Sequence, residues 1–226
     1  SKFIQCLPVK LVEVKCKGKF IWFQFDNHWT MWCSLGLTGG WKTYSDNYSS
    51  LEVITEKTTV WFSDKIQYGS IKFCNSGKMM VNKLESLGPD LLDISYSFSD
   101  FKQRIRQYNN NEIPTVLMNQ SIFCGVGNYL KSEILYASKI SPYRKVKDIP
   151  DEELELLFKK IREIITLSYQ CGGGTLSRYS NLRKPDANGP YKFLVYNRYK
   201  DTNGYSVKKE YTSDKRNTFW VPSIQI

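Results

Sequence analysis

The 226-residue sequence predicts an α+β fold, and three observations predict it. Residues 1–95 hold short apolar and aromatic runs separated by turn-rich spacers, the pattern of strands. Residues 96–170 repeat apolar positions at i, i+3 and i+4, the pattern of amphipathic helices. Residues 171–226 begin with a Gly-, Pro-, Ser- and Arg-rich stretch and end in a strand–turn–strand pattern. These three segments are the expected domains, and no internal repeat is apparent.

In the first segment Val9, Leu11, the run "FIWFQF" from Phe20 to Phe25, "WTMWC", "LEVI" and "TTVWF" read as successive strands, with "DNH" and "YSDNYSS" as turns between them. "KMMVNKLESLGPD" reads as a short helix stopped by Gly88 and Pro89. In the second segment Ser99 is a candidate cap for a helix carrying Phe101, Ile105 and Tyr108. Pro114 opens the next helix, with Val116 and Leu117 inward. Pro150 opens a longer one, with Asp151, Glu152 and Glu153 in its first turn. Leu154, Leu157, Ile161, Ile164 and Ile165 give it a core-facing stripe that says nothing of function. In the third segment "YKFLVYNRYK", "DTNGY" and "SVKKEYTSDKRNTFWVPSIQ" read as a β-hairpin, with Asn203-Gly204 as the expected turn pair.

Composition narrows the partner. Thirty-two Lys and Arg against 22 Asp and Glu leave a formal charge of +10, which favours a polyanion. Fifteen Tyr, 12 Phe and six Trp supply stacking surfaces, although most belong to the core. No apolar run approaches a membrane span and no signal peptide is read at Ser1, so nucleic acid is favoured over a membrane. Cys6, Cys16, Cys33, Cys74, Cys124 and Cys171 are scattered without a C-x-x-C pair, which points to an intracellular, reducing compartment. The single histidine, His28, lies in the turn "FDNHW", and too few His and Cys cluster to bind a metal.

One stretch carries a more specific reading. "GVGNYLKSEILYASKISP" opens a helix at Asn128 behind Gly125-Val126-Gly127. Glycines let the backbone turn sharply and leave N–H groups uncovered. Those amides, the positive end of the helix dipole and the Asn128 amide together suit an anion. An ordinary glycine turn before a core helix is the plainer alternative.

With that stretch in place, the order of segments resembles the formamidopyrimidine-DNA glycosylase / endonuclease VIII family of base-excision repair enzymes. The likeness rests on "KGKFIWFQF", "SLGLTGGW", "ESLGPDLL", "NQSIFCGVGNYLKSEILYASKISP" and "DKRNTFWVPSIQ". The resemblance implies an incomplete β-sandwich-like domain over 1–95, a helix–two-turn–helix domain over 96–170, and a flexible loop with a finger hairpin over 171–226. The family usually ends in a zinc finger with two pairs of cysteines. Here Val221-Pro222-Ser223-Ile224 stands in the matching place and "DTNGYSVKKEY" has no cysteine, which resembles the zinc-less finger of some endonuclease VIII-like members. No metal or other cofactor is expected, and Phe219, Trp220, Val221 and Ile224 are available to pack where zinc would bind.

The resemblance also assigns residues. Gly125, Gly127 and Asn128 would hold a phosphate beside the lesion, and Arg216 would grip neighbouring phosphates. Lys19 matches a lysine that contacts the backbone near the damaged nucleotide and is tied to the lyase chemistry. Leu37, Ile66 and Tyr68 fall where residues fill the gap left by the extruded nucleotide. Leu37 stands where methionine is common, Ile66 where arginine is usual, and Tyr68 where phenylalanine is. Gly173, Arg178 and Tyr179 resemble the lesion-covering loop. On the residues alone, Arg216 reads first as a solvated hairpin charge and Lys19 as a strand-edge lysine.

The implied partner is double-stranded DNA with oxidised bases or abasic sites, bound by a monomer. The implied activity is that of a DNA glycosylase with AP lyase activity, acting by base flipping and Schiff-base β,δ-elimination. The family's nucleophile is an N-terminal proline followed by glutamate, and this sequence begins "SKFIQCLPVK", aligned with a segment inside the usual first domain. Pro8 is internal and its nitrogen is an amide. Three explanations stay open: a partial gene product, a short form that binds damaged or abasic DNA without cutting it, or another amine, Lys19 or the α-amine of Ser1, in the nucleophile's role.

Overall fold

The computed structural model describes residues 2–174 and 190–226, and the chain divides into two compact units, Ser1–Ser86 and Leu87–Ile226. The first holds β1 (Leu11–Lys17), β2 (Phe20–Phe25), β3 (Thr30–Ser34), β4 (Gly40–Lys42), β5 (Ser49–Ile54), β6 (Thr59–Ser63), β7 (Ser70–Cys74) and α1 (Gly77–Glu85). One antiparallel sheet runs in the order β1-β2-β3-β7 and a second in the order β4-β6-β5. Alternation sets the faces: in β3, Met31 and Cys33 are buried while Thr30, Trp32 and Ser34 remain partly exposed. An aromatic contact joins the sheets, Phe23 lying 5.3 Å from Trp41, which lies 5.5 Å from Phe62 within its own sheet.

Three features here differ from the sequence reading. A 3-10 turn over Lys2–Cys6 precedes β1 and places Phe3 against Phe25, Trp29 and Phe73 at 5.0, 5.6 and 4.5 Å. β4 and β7 are strands that the sequence pattern does not single out: β4 is three residues long, and β7 gains its definition from pairing Met31 with Phe73 and Cys33 with Ile71. The helix α1 ends at Glu85 with Ser86 as its cap, before Gly88. Gly88 serves close approach instead, since a Cβ there would lie 2.3 Å from the Ile122 carbonyl oxygen.

The second unit contains α2 (Phe98–Ile105), α3 (Ile113–Met118), α4 (Asn128–Ala137), α5 (Asp151–Gln170), β8 (Lys208–Tyr211) and β9 (Asn217–Trp220). The cap of α2 is Ser97, two residues before the expected Ser99. Asp100 decides this by completing a capping box, its amide donating to Ser97 Oγ at 3.2 Å and its carboxylate accepting from the Ser97 amide at 3.3 Å. Pro114 lies in the first turn of α3 and Pro150 caps α5, as expected. Phe101, Ile105, Ile113, Val116, Leu117, Ile134, Leu154 and Leu157 are all fully buried in one core. Leu91 joins that same core from the segment before α2.

The hairpin pairs Lys208 with Trp220 and Tyr211 with Asn217, so residues 212–216 form its turn. Asn203-Gly204, expected to be that turn, instead closes a smaller loop marked by a bridge between Lys200 and Ser206. The Asp201 carboxylate organises this loop, accepting from the amides of Asn203 at 2.9 Å and Tyr205 at 2.8 Å and from the Tyr136 hydroxyl at 2.8 Å. Phe219 and Val221 pack with Tyr136 and Val195, and Ile224 lies against them. Gln225 ties the chain end, accepting from the Val221 amide at 2.7 Å and donating to the Ile140 carbonyl at 2.9 Å.

Candidate nucleic-acid interface

The helix α4 organises the second unit's candidate site. Gly125 has φ +102°, a conformation that glycine adopts freely, and Gly127 caps the helix without a side-chain bond. The first bond onto α4 runs from the Lys131 amide to the Gly127 carbonyl at 2.9 Å, so the preceding N–H groups have no acceptor within the helix. One amide differs from the sequence expectation: Gly125 N–H donates to Gln120 Oε1 at 3.1 Å. Gln120 in turn donates to the carbonyls of Met118 and Val126, both at 3.0 Å. Its three bonds shape the turn, a role the sequence reading missed because a glutamine five residues upstream carries no local signal.

One face of α4 grips the hairpin. Asn128 Nδ2 donates to the Asn217 carbonyl at 3.0 Å, and Ser132 Oγ accepts from the Phe219 amide at 3.2 Å. Asn128 is thus placed by β9 as well as by its own helix, while its Oδ1 is buried with no hydrogen-bond partner among the described residues. Lys131 and Asp214 form a buried ion pair at 2.7 Å, with side chains 0% and 2% exposed. Burial pulls the Lys131 ammonium below its usual range, against the upward pull of Asp214. Arg216 sits exposed where the turn re-enters β9, and its carbonyl accepts from the Thr212 amide at 3.0 Å.

The opposite side of α4 holds the segment before the hairpin. The buried Glu133 carboxylate accepts from the amides of Leu194, Val195 and Tyr196 at 2.7, 2.9 and 2.8 Å and from the Tyr191 hydroxyl at 3.2 Å. Burial pushes this carboxyl above the usual range, and the donors pull it back only in part. Further along, Tyr143 and Trp220 both donate to Glu210 Oε2, at 2.7 and 2.8 Å. Burial and that carboxylate push the Tyr143 phenol up to about 12.

In the first unit, Lys19 is exposed in the turn between β1 and β2, beside Gly18 at φ +55°. Leu37, Ile66 and Tyr68 lie on two loops that the structure brings together. Leu37 is 48% exposed and Tyr68 73% exposed, while Ile66 is partly buried. A Cβ on Gly36 would lie 2.6 Å from the backbone of Tyr68 and Gly69, so glycine is needed where the loops touch. The buried Asp64 fastens them: it accepts from the Thr38 hydroxyl, from the Gly69 amide at 2.6 Å and from the Ile66 amide at 3.3 Å. Burial raises the Asp64 carboxyl, but Thr38 and the amides of Gly69, Ile66 and Gln67 bring it below the usual carboxylate range. Asp64 is a second residue absent from the sequence reading.

Gly173 has φ +91° and donates to the Ser168 carbonyl at 2.7 Å at the end of α5. Arg178 and Tyr179 lie outside the described residues. His28 occupies the β2–β3 turn with φ +65°. Among the described residues, no three His, Cys, Asp or Glu side chains cluster as a metal site, and no helix is long and apolar enough to cross a membrane.

Comparison with known proteins places this arrangement. Residues 87–180 match the formamidopyrimidine-DNA glycosylase H2TH domain, and residues 185–226 match the formamidopyrimidine-DNA glycosylase C-terminal domain. A formamidopyrimidine-DNA glycosylase of Thermus thermophilus is 28% identical over 178 residues, covering 78% of this chain and 66% of its own length. The chain therefore spans about two thirds of that relative. One from Rickettsia canadensis is 25% identical over 233 residues, covering 98% of this chain and 84% of its own length. The crystal structure of the MutM (Fpg) protein of Thermus thermophilus superposes with a TM-score of 0.84 at 25% identity, covering 96% of this chain and 83% of that one. A Lactococcus lactis Fpg in complex with Fapy-dG containing DNA shares the fold, with a TM-score of 0.83 at 19% identity over 96% of this chain and 82% of its own. With the glycine-led helix, the hairpin bound to it and the two domain matches in agreement, the chain belongs to the formamidopyrimidine-DNA glycosylase family.

Proposed function

We propose that this protein binds double-stranded DNA carrying oxidised bases or abasic sites and acts there as a glycosylase with AP lyase activity. The observation that carries the reading is Asn128, held between the glycine turn and β9, with Arg216 exposed on the hairpin that it fastens. A helix N-terminus and a guanidinium are both suited to phosphate oxygens. The +10 charge supports a polyanionic partner, and the DNA-bound relative supports DNA as that polyanion.

In this reading Gly127, Asn128 and Arg216 grip the backbone near the lesion, while Gly125, its amide held by Gln120, shapes the turn behind them. The exposed tips Leu37 and Tyr68, with Ile66, fill the gap after the damaged nucleotide is flipped out. Tyr68 can stack, whereas Ile66 cannot hydrogen-bond the unpaired base as an arginine would. An amine attacks the sugar C1′, the base leaves with a proton, and the ring opens to a Schiff base from which β,δ-elimination proceeds. Lys19 is the described amine assigned to this neighbourhood. The finger packing and the absence of arginine at Ile66 favour an endonuclease VIII-like member acting on oxidised pyrimidines and further-oxidised guanines.

Borohydride trapping on a duplex with one abasic site, beside a gel-shift on the same duplex, tests the reading. A covalent adduct on Lys19 or on another amine, identified by peptide mapping, would support the lyase. Binding without an adduct would leave a binder of damaged DNA. Absence of binding would overturn both.

A further inference from the structure

We infer that Lys131 and Asp214 are a positioning pair that sets where the Arg216 guanidinium stands relative to Asn128. The inference rests on the DNA-binding reading above and adds to it the device that holds the two phosphate contacts in register. Lys131 follows Asn128 by three residues on α4, so both side chains address the same neighbour. That neighbour is the hairpin turn: Asn128 holds the Asn217 carbonyl, and Lys131 holds Asp214 two residues before Arg216.

From Asp214 the bonds continue to Arg216. Asp214 Oδ1 accepts from the Thr212 hydroxyl at 2.6 Å, and Thr212 Oγ1 also lies 2.6 Å from Thr218 Oγ1 and 3.1 Å from the Arg216 carbonyl. One hydroxyl carries one proton, and the charged acceptor at the shorter distance takes it. The Thr212 amide then holds the Arg216 carbonyl at 3.0 Å, and the Thr212 carbonyl accepts from Lys215 at 2.9 Å. Lys215 has φ +59°, the left-handed residue that brings the chain back. A Thr115–Ser213 hydroxyl contact at 2.9 Å pins the far side of the turn to α3.

The charges fit the role. Burying both ions costs desolvation that apolar side chains would avoid, so stability alone does not call for this pair. Directional contacts fix a turn more sharply than apolar packing does. Asp214 also balances the Lys131 charge inside the protein, which leaves the exposed Arg216 charge for an outside ligand.

The test is a double-mutant cycle read by gel-shift affinity for the abasic-site duplex. Lys131→Met/Asp214→Asn removes both charges together, and a thermal melt checks folding. Arg216→Ala is expected to weaken the parent about tenfold, as for a lost charge-assisted contact. The charge-free pair is expected to stay folded, to bind several-fold more weakly than the parent, and to lose little further with Arg216→Ala. A pair variant that binds like the parent, or an Arg216→Ala effect of equal size on both backgrounds, overturns the inference. If the pair variant does not fold, Thr212→Val decides by the same cycle, since it cuts the Asp214–Thr212 bond and leaves the ion pair. Additivity with Arg216→Ala would then overturn the positioning role. Failure of the parent to bind the duplex would instead overturn the DNA-binding reading, and this inference with it.

Discussion

Asn128 and Asn217, 89 residues apart in the chain, are joined by a 3.0 Å bond from a side-chain amide to a backbone carbonyl. It binds the first residue of a helix to the first residue of a strand, so it links the glycine turn to the finger hairpin where each begins. Asn128→Ala removes that bond and the amide available to a phosphate. Binding to abasic-site duplex should weaken by roughly 1–3 kcal/mol. Asn128→Asp should bind more weakly still, because it sets a carboxylate against the Asn217 carbonyl and the incoming phosphate. Equal affinities for parent and both variants in a gel-shift would exclude Asn128 from the interface.

Arg216 predicts a change in salt dependence as well as in affinity. Each phosphate contact contributes about 0.9 to the slope of log K against log salt. Arg216→Ala should therefore lower the slope by about one, and Arg216→Lys should keep the slope while losing bidentate geometry. Titrations at several salt concentrations measure this, and an unchanged slope for Arg216→Ala would count against a phosphate contact.

Asp64 gives the loops of Leu37 and Tyr68 a pH dependence. Its carboxyl lies below the ordinary range in the folded protein, so the unfolded chain binds the proton at higher pH than the folded one does. The stabilisation is complete above the unfolded value of about 4 and is lost as pH falls through the folded value. Asp64→Asn should melt several degrees lower than the parent near neutral pH, and the gap should narrow below about pH 4. A gap that stays constant with pH would mean that the charge of Asp64 is not what holds the loops.

Glu133 predicts a stability effect centred on the segment before the hairpin. Glutamine offers one acceptor oxygen and an NH2 that opposes the amides of Leu194, Val195 and Tyr196. Glu133→Gln should destabilise the protein by roughly 1–3 kcal/mol, the cost of leaving buried donors unmatched. Chemical denaturation of the two proteins checks it.

The finger hairpin predicts indifference to chelators. The hydrogen bonds of Asp201 and Gln225 and the packing of Phe219 and Val221 hold this segment together. Prolonged EDTA treatment should leave the melting temperature unchanged, and metal analysis should find no stoichiometric zinc. A large fall in melting temperature on chelation would reverse the zinc-less reading.

Local chemistry made much of the second unit legible. Pro114, Pro150 and the stripe from Leu154 to Ile165 state their helices in local code, and the glycines before Asn128 announce a helix entry. Where one local signal outranked another, the sequence misled: Ser97 and not Ser99 caps α2 because Asp100 answers it, and Gly88 is a contact point and not a helix stop. The hairpin turn passed from Asn203-Gly204 to residues 212–216 because Asp201 claims the former. Sequence alone determined the α+β class, the basic character and the motif pattern, since these depend on periodicity, charge count and short-range turn chemistry. Only the tertiary structure decided what Gln120, Lys131, Asp64 and Asp214 do. Lys131 and Asp214 meet across 83 residues and Thr38 reaches Asp64 across 26, while Gln120 and Asp64 also bond neighbours that only the folded turn brings within reach. A polar side chain acquires its meaning from the group that satisfies it once water is excluded.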